Sequence, residues 1–287
     1  MNNLPEIIAR CERRWSIRAG EPLERLSYNF IAPAIRKDGV AVVLKIGYPN
    51  KDLTTEIEAL LAFDGRSCVR LLDVDRGLGS LLLERLEPGK SLLIINDDEA
   101  ATRIAAGVMR DLWRPVPEED VFPTVRKWAR GMERLRSYYD GGTGPLSSRL
   151  VEKAEALFSE LIDSMETLVL LHGDLHHENI LCSQKRQWLA IDPKGVLGEP
   201  AYETGVLLRN PFPQLLEQPD PGRVISRRVD ILCEELGFER ERVLGWGLAQ
   251  AVLSAWWSIE DHGDGWQWAM RCAEQIDKIL VDVNSIL

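Results

Sequence analysis

Apolar residues change their spacing once, decisively, along this chain. Up to about residue 87 they come in short runs that read as strands, and beyond it they mostly recur at three- and four-residue intervals. Residues 5–14 predict a short amphipathic helix with Ile7, Ile8 and Cys11 on one side. Runs at 23–26, 30–35 and 40–46 predict strands, and Lys37-Asp38-Gly39 is a tight-turn signal between the last two. A helix is expected from Leu53 or Thr54, with Thr54 or Thr55 as its cap. Two further strands, 69–74 and 80–86, are split by the turn-rich stretch 75–79. Composition changes at Pro88-Gly89, so residues 1–87 are expected to form one lobe and 88–287 a second.

The second part reads as mainly helical. Residues 97–113 carry a stripe of Ala101, Ile104, Ala105, Val108, Met109 and Leu112 that stops before Pro115. Helical spacing returns at 122–139 and 146–165, on either side of a flexible loop, and again from 223 to the end, where most tryptophans lie. Between these helices an apolar run at 168–171 enters a polar segment. Short strands at 180–182 and 188–191 then surround a turn at 183–187. The expected fold class is α+β, a small antiparallel sheet lobe followed by a larger helical lobe.

That polar segment holds the densest chemistry in the chain. It reads LLHGDLHHENILCSQKRQWLAID from Leu170 to Asp192 and contains three of the four histidines. Phosphoryl transfer to a hydroxyl needs an acceptor for the proton and oxygen ligands for Mg2+. Asp174 can face the acceptor hydroxyl. Asn179, five residues on, can offer an amide oxygen to the metal, and Asp192 can bring a carboxylate to it from the exit of the hairpin. Protein kinases use H-R-D-x-x-x-x-N and D-F-G in these roles. Here the frames are H-G-D-L-H-H-E-N and I-D-P-K-G, and Gly173 stands in place of the arginine, which points to a small-molecule acceptor. The competing reading, zinc held by His172, His176, His177 and Asp174, finds no further His or Cys cluster to complete it. His172 is expected to brace the loop.

HGDLHHENIL, followed by WLAIDPKGVLGEPAYE, resembles the aminoglycoside phosphotransferase family, and within it the streptomycin 6-phosphotransferase branch that is grouped with hydroxyurea-type resistance kinases. The resemblance implies a protein-kinase-like fold with ATP and Mg2+ in an interlobe cleft. It puts Lys45 of Val42-Val43-Leu44-Lys45 on the ATP phosphates, paired with Glu56, and leaves Glu58 to solvent. Ser27-Tyr28-Asn29 falls where a loop would cover the phosphates; it contains no glycine, and a plain hairpin loop is the alternative. The hinge falls at 84–86, where backbone groups of Glu84 and Leu86 would meet the adenine edge. Streptomycin carries two guanidinium groups, for which carboxylates and aromatic walls are the natural partners. Glu199 and Glu203 near the metal site, and Glu260, Asp261 and Asp264 in an acidic loop, are the candidates. Two rivals remain: a kinase of this fold acting on a sugar or amino-alcohol metabolite, and a nucleotide-binding pseudokinase.

Whole-chain properties narrow the partners. Lys and Arg number 35 against 45 Asp and Glu, for a net charge of −10, and no basic patch offers a nucleic acid a footing. Acidity suits a cationic small molecule. The five cysteines are scattered without a C-x-x-C pair, the N-terminus has no signal-peptide core, and no apolar run approaches a membrane span. A cytoplasmic monomer with reduced thiols is the expectation.

Overall fold

The computed structural model describes residues 4–23, 29–117, 120–185 and 187–284. Ser27, expected over the nucleotide phosphates, lies outside them.

Strand alternation builds the small lobe. Its five-stranded antiparallel sheet runs Ile17–Ala19, Phe30–Arg36, Ala41–Ile46, Ser80–Glu84, Leu71–Asp75. Within Ala41–Ile46, Val42, Leu44 and Ile46 face outward and pack with Cys11 and Trp15 of the helix Leu4–Trp15. Successive side chains of a strand point to opposite faces, so Val43 and Lys45 face the other way, into the cleft between the lobes. The helix Lys51–Phe63 covers that inner side and begins three residues earlier than its apolar spacing implies. Asn50 is the cap, its side chain accepting the Leu53 N–H at 2.9 Å. Thr54 and Thr55 instead turn their hydroxyls back onto the carbonyls of Asn50 and Asp52. The shorter, better-placed carboxamide oxygen wins the cap position.

Leaving Ser80–Glu84, the chain forms a short strand, Pro88–Ser91, which pairs with Ile180–Ser183, itself paired with Gln187–Ala190. A third small sheet joins Arg114–Pro115, Val169–Leu171 and Val196–Gly198. These two sheets carry the polar segment on the cleft side of the large lobe.

Behind them stands the helix Arg240–His262, in which every residue from Val243 to Leu253 is buried. A helix without a polar face belongs inside a core, and Ser148–Asp163, Thr204–Leu208 and Trp266–Asn284 enclose this one. The helical stretch expected at 122–139 is two helices, Val125–Ala129 and Gly131–Tyr138. The break falls at Arg130, and the second helix opens on Gly131, glycine being the weakest helix former after proline. A side chain there would also strike Leu253 on the central helix.

Candidate active site

The cleft between the lobes has a volume of about 790 Å³ and is lined by residues of both. That lies within the range of small-molecule and cofactor pockets. Ile31, Val43, Val69, Leu181 and Ile191 give it apolar walls, and Glu84, Arg85 and Leu86 form its back edge where the chain crosses between lobes. Lys45, Glu56, Asp174, Asn179 and Asp192, which the sequence analysis picked out separately, all line this one space.

Lys45 is 2% exposed, and an ammonium in that position requires counter-charges. It has two: Glu56 Oε1 at 2.6 Å and Asp192 Oδ1. Burial pushes the Glu56 carboxyl above its ordinary range, and Lys45 pulls against that shift. Glu58, two residues along the same helix, points outward and pairs with Arg76 at 2.7 Å. Positions i and i+2 of a helix cannot share a face, which separates these two acids.

The loop after Val169–Leu171 is held from three directions. His172 is fully buried; its Nε2–H donates to the Ile191 carbonyl at 2.8 Å, and its Nδ1 accepts the Asp174 N–H at 3.2 Å. One neutral imidazole thus ties the residue before Asp192 to Asp174 itself. Burial pushes this histidine down to about 4, so it is uncharged at neutral pH. Glu203, also fully buried, accepts the backbone N–H groups of His172 (2.6 Å) and Gly173 (2.9 Å). Burial pushes its carboxyl up to about 7 despite those two donors. Gly173 has φ +84°, and a Cβ there would lie 2.8 Å from the Trp128 ring. The glycine is therefore a packing and backbone requirement in this fold. Asn179 donates its Nδ2–H to the Asp174 carbonyl at 2.9 Å, which leaves Oδ1 as its donor atom for a cation.

Asp192 sits at φ +61°, a left-handed turn that ends the strand run and directs its carboxylate into the cleft. Both oxygens are taken by ammonium groups: Oδ1 by Lys45 and Oδ2 by Lys194 at 3.1 Å. Burial raises its proton affinity, but the two lysines together outweigh this and hold it well below the usual carboxylate range. Asn179 Oδ1 and Asp192 form an all-oxygen donor set of the kind hard cations such as Mg2+ take.

The acids expected at the substrate are placed as follows. Arg242 grips Glu199 bidentately at 2.6 and 2.7 Å, and the Trp246 indole N–H also donates to it. Glu203 is spent on the loop backbone. Glu260 is engaged bidentately by Arg134 at 2.7 and 2.8 Å. Asp261 and Asp264, beside it at the exposed end of Arg240–His262, do not line the cleft. The three histidines diverge, with His177 buried toward Arg228 and Asp98, and no metal-binding group of three His, Cys, Asp or Glu occurs among the described residues. Two residues given no role from the sequence now have positions. Lys194 stands in the cleft, and Arg209 is a buried guanidinium close enough to Asp174 to feel its charge. The signal for Lys194 was its place two residues after a metal-type aspartate.

The chain is similar to known proteins over most of its length. The sequence model of the aminoglycoside/hydroxyurea antibiotic resistance kinase family matches residues 14–262. Streptomycin 6-kinase of Streptomyces griseus is 34% identical over 260 residues, covering 90% of this chain and 84% of that protein. Hydroxyurea phosphotransferase of Kitasatospora aureofaciens is 32% identical, covering 91% and 75%. The crystal structure of choline kinase LicA from Streptococcus pneumoniae superposes with a TM-score of 0.66 at 14% identity, covering 98% of this chain and all of that one. The fold is the two-lobed, kinase-like α+β fold, and the chain belongs to the aminoglycoside/hydroxyurea antibiotic resistance kinase family.

Proposed function

We infer that this protein transfers the γ-phosphoryl group of ATP to a hydroxyl of an aminoglycoside, with streptomycin as the acceptor. The observation that carries the reading is the convergence of Lys45, Asp174, Asn179 and Asp192 on one cleft. The apolar walls take the adenine, and backbone groups between Glu84 and Leu86 meet its edge. Lys45, oriented by Glu56, holds the phosphates. Asn179 and Asp192 would hold Mg2+, which when bound neutralises phosphate charge. Asp174 orients the acceptor hydroxyl and takes its proton as the new P–O bond forms. His172 and Glu203 keep Asp174 in place from behind the loop.

The acceptor rests on the relatives, supported by charge. A net charge of −10 and the carboxylates of Asp174 and Glu178 in the cleft suit a substrate bearing guanidinium groups. The test is ADP release measured by a coupled assay with Mg2+, using streptomycin, other aminoglycosides, hydroxyurea and small alcohols. Streptomycin-dependent turnover that disappears in Asp174→Asn is the expected result. Turnover with hydroxyurea or a small alcohol alone would discard the aminoglycoside, and no turnover with any acceptor would overturn the kinase reading.

A further inference from the structure

We propose that Lys194 is a catalytic residue that leaves Asp192 when nucleotide binds and contacts the phosphoryl group in transit. The proposal rests on the kinase reading above and adds a residue to it. Its starting point is a count of cations in the cleft. Among the described residues lining it, these are Lys45, Arg85 and Lys194. Lys45 lies deep, fixed by Glu56, and Arg85 lies at the crossing between lobes beside Glu87. On the catalytic loop itself, the residue two positions after Asp174 is His176, whose ring nitrogens are engaged by the Glu178 N–H and by the Asn179 carboxamide. Among the described residues, Lys194 is therefore the mobile positive charge on the side of the cleft where Asp174 stands.

Its geometry fits the task. The Lys194 and Gly195 N–H groups both donate to the His172 carbonyl, at 2.8 and 3.1 Å, which fixes the base of the side chain to the loop carrying Asp174. Its tip, 45% exposed, reaches Asp192 Oδ2 at 3.1 Å. It thus occupies an oxygen that a cation would take. With Asp192 engaged by a cation, the Lys194 ammonium would turn to the remaining negative charge, that of the γ-phosphate. During transfer the bond from γ-phosphorus to the β,γ-bridging oxygen breaks, its electron pair staying on ADP. The bond to the acceptor oxygen forms, and the hydroxyl proton goes to Asp174. Lys194 keeps its proton throughout and offsets charge on the phosphoryl oxygens as it moves.

The test compares wild type, Lys194→Met and Lys194→Arg by calorimetric titration with ADP and with the imido analogue of ATP, both with Mg2+, alongside kcat. Lys194→Met should bind ADP at least as tightly as wild type, since a competitor for Asp192 is gone. It should lose about tenfold in affinity for the analogue relative to ADP, the low end for a charge-assisted hydrogen bond. Its kcat should fall about 100-fold or more, as when one donor to a developing anion is removed. Lys194→Arg should recover the preference for the analogue. An unchanged analogue-to-ADP ratio in Lys194→Met, or an equal loss for both nucleotides, would overturn the assignment and leave the kinase standing. If the wild type binds neither nucleotide, both fall.

Discussion

Glu203 offers a test of the loop architecture that needs no substrate. It is fully buried, accepts two backbone N–H groups, and titrates near 7 instead of 4.5. Each pH unit corresponds to 1.36 kcal/mol, so holding this carboxylate ionised inside the fold costs about 3 kcal/mol at pH 8 relative to pH 4. The sign follows from proton uptake. Between the unfolded value near 4.5 and the folded value near 7, the native protein binds more protons at this site than the unfolded chain does. Its contribution to stability is therefore largest at low pH and is lost as pH rises through 7. Glu203→Gln removes that dependence. It keeps one acceptor oxygen for one N–H and turns an amide N–H toward the other, at a cost of about 1–3 kcal/mol for an unsatisfied buried donor. The charge that Glu203 feels, that of Asp174, is present in both proteins. Urea unfolding of the two at pH 5, 6, 7 and 8 should show the variant weaker by about 1–3 kcal/mol at pH 5. The gap should close, or reverse, by pH 8. A difference that stays constant across the four pH values would refute the reasoning, because it would mean that Glu203 titrates alike folded and unfolded.

Asp174→Asn should leave nucleotide affinity within about twofold and cut turnover by about 10²–10⁴, the usual share of a general base, measured by titration and coupled assay on one preparation. Lys45→Met should abolish nucleotide binding and destabilise the fold by about 3–5 kcal/mol, since it strands Glu56 in the interior. Adding Glu56→Leu should restore the melting temperature but not the binding. Glu199→Ala should cost about 3 kcal/mol or more by leaving Arg242 and Trp246 without their acceptor. The acceptor KM of the folded fraction should remain unchanged, and a raised KM would reinstate Glu199 at the substrate.

Much of the cleft was legible because the relevant rules are local. Alternation along a single strand puts Lys45 opposite Val42 and Leu44, and helix geometry separates Glu56 from Glu58. The five-residue step from Asp174 to Asn179 spans one loop, whose Asn179 side chain closes back on the Asp174 carbonyl. The cap at Asn50 was missed because three polar residues compete within six positions. Only the backbone geometry decides which of them reaches the Leu53 N–H. Gly173 was read through an analogy with protein kinases, whereas the structure gives a steric reason in the ring of Trp128, which is 45 residues away in sequence (173 − 128).

Three of the acids named for the substrate, Glu199, Glu203 and Glu260, already have partners within the fold, and this bears on how such sites should be read. A carboxylate near an active-site motif is available to a ligand only if no other group has already claimed it. Claimants in a helical lobe are distant in sequence: Arg242 is 43 positions from Glu199, and Arg134 is 126 from Glu260. Sequence proximity to the motif gives no information on either pairing. Bidentate arginine pairs are also among the strongest side-chain contacts, so a cationic substrate would have to displace a guanidinium to use these oxygens. The acids that remain open to a cation are those whose partners can leave. Asp192 is the clearest case, because its second oxygen is held by the half-exposed, flexible Lys194. Availability to a ligand is thus set by the mobility of the partner group, and that criterion separates Asp192 from Glu199, Glu203 and Glu260.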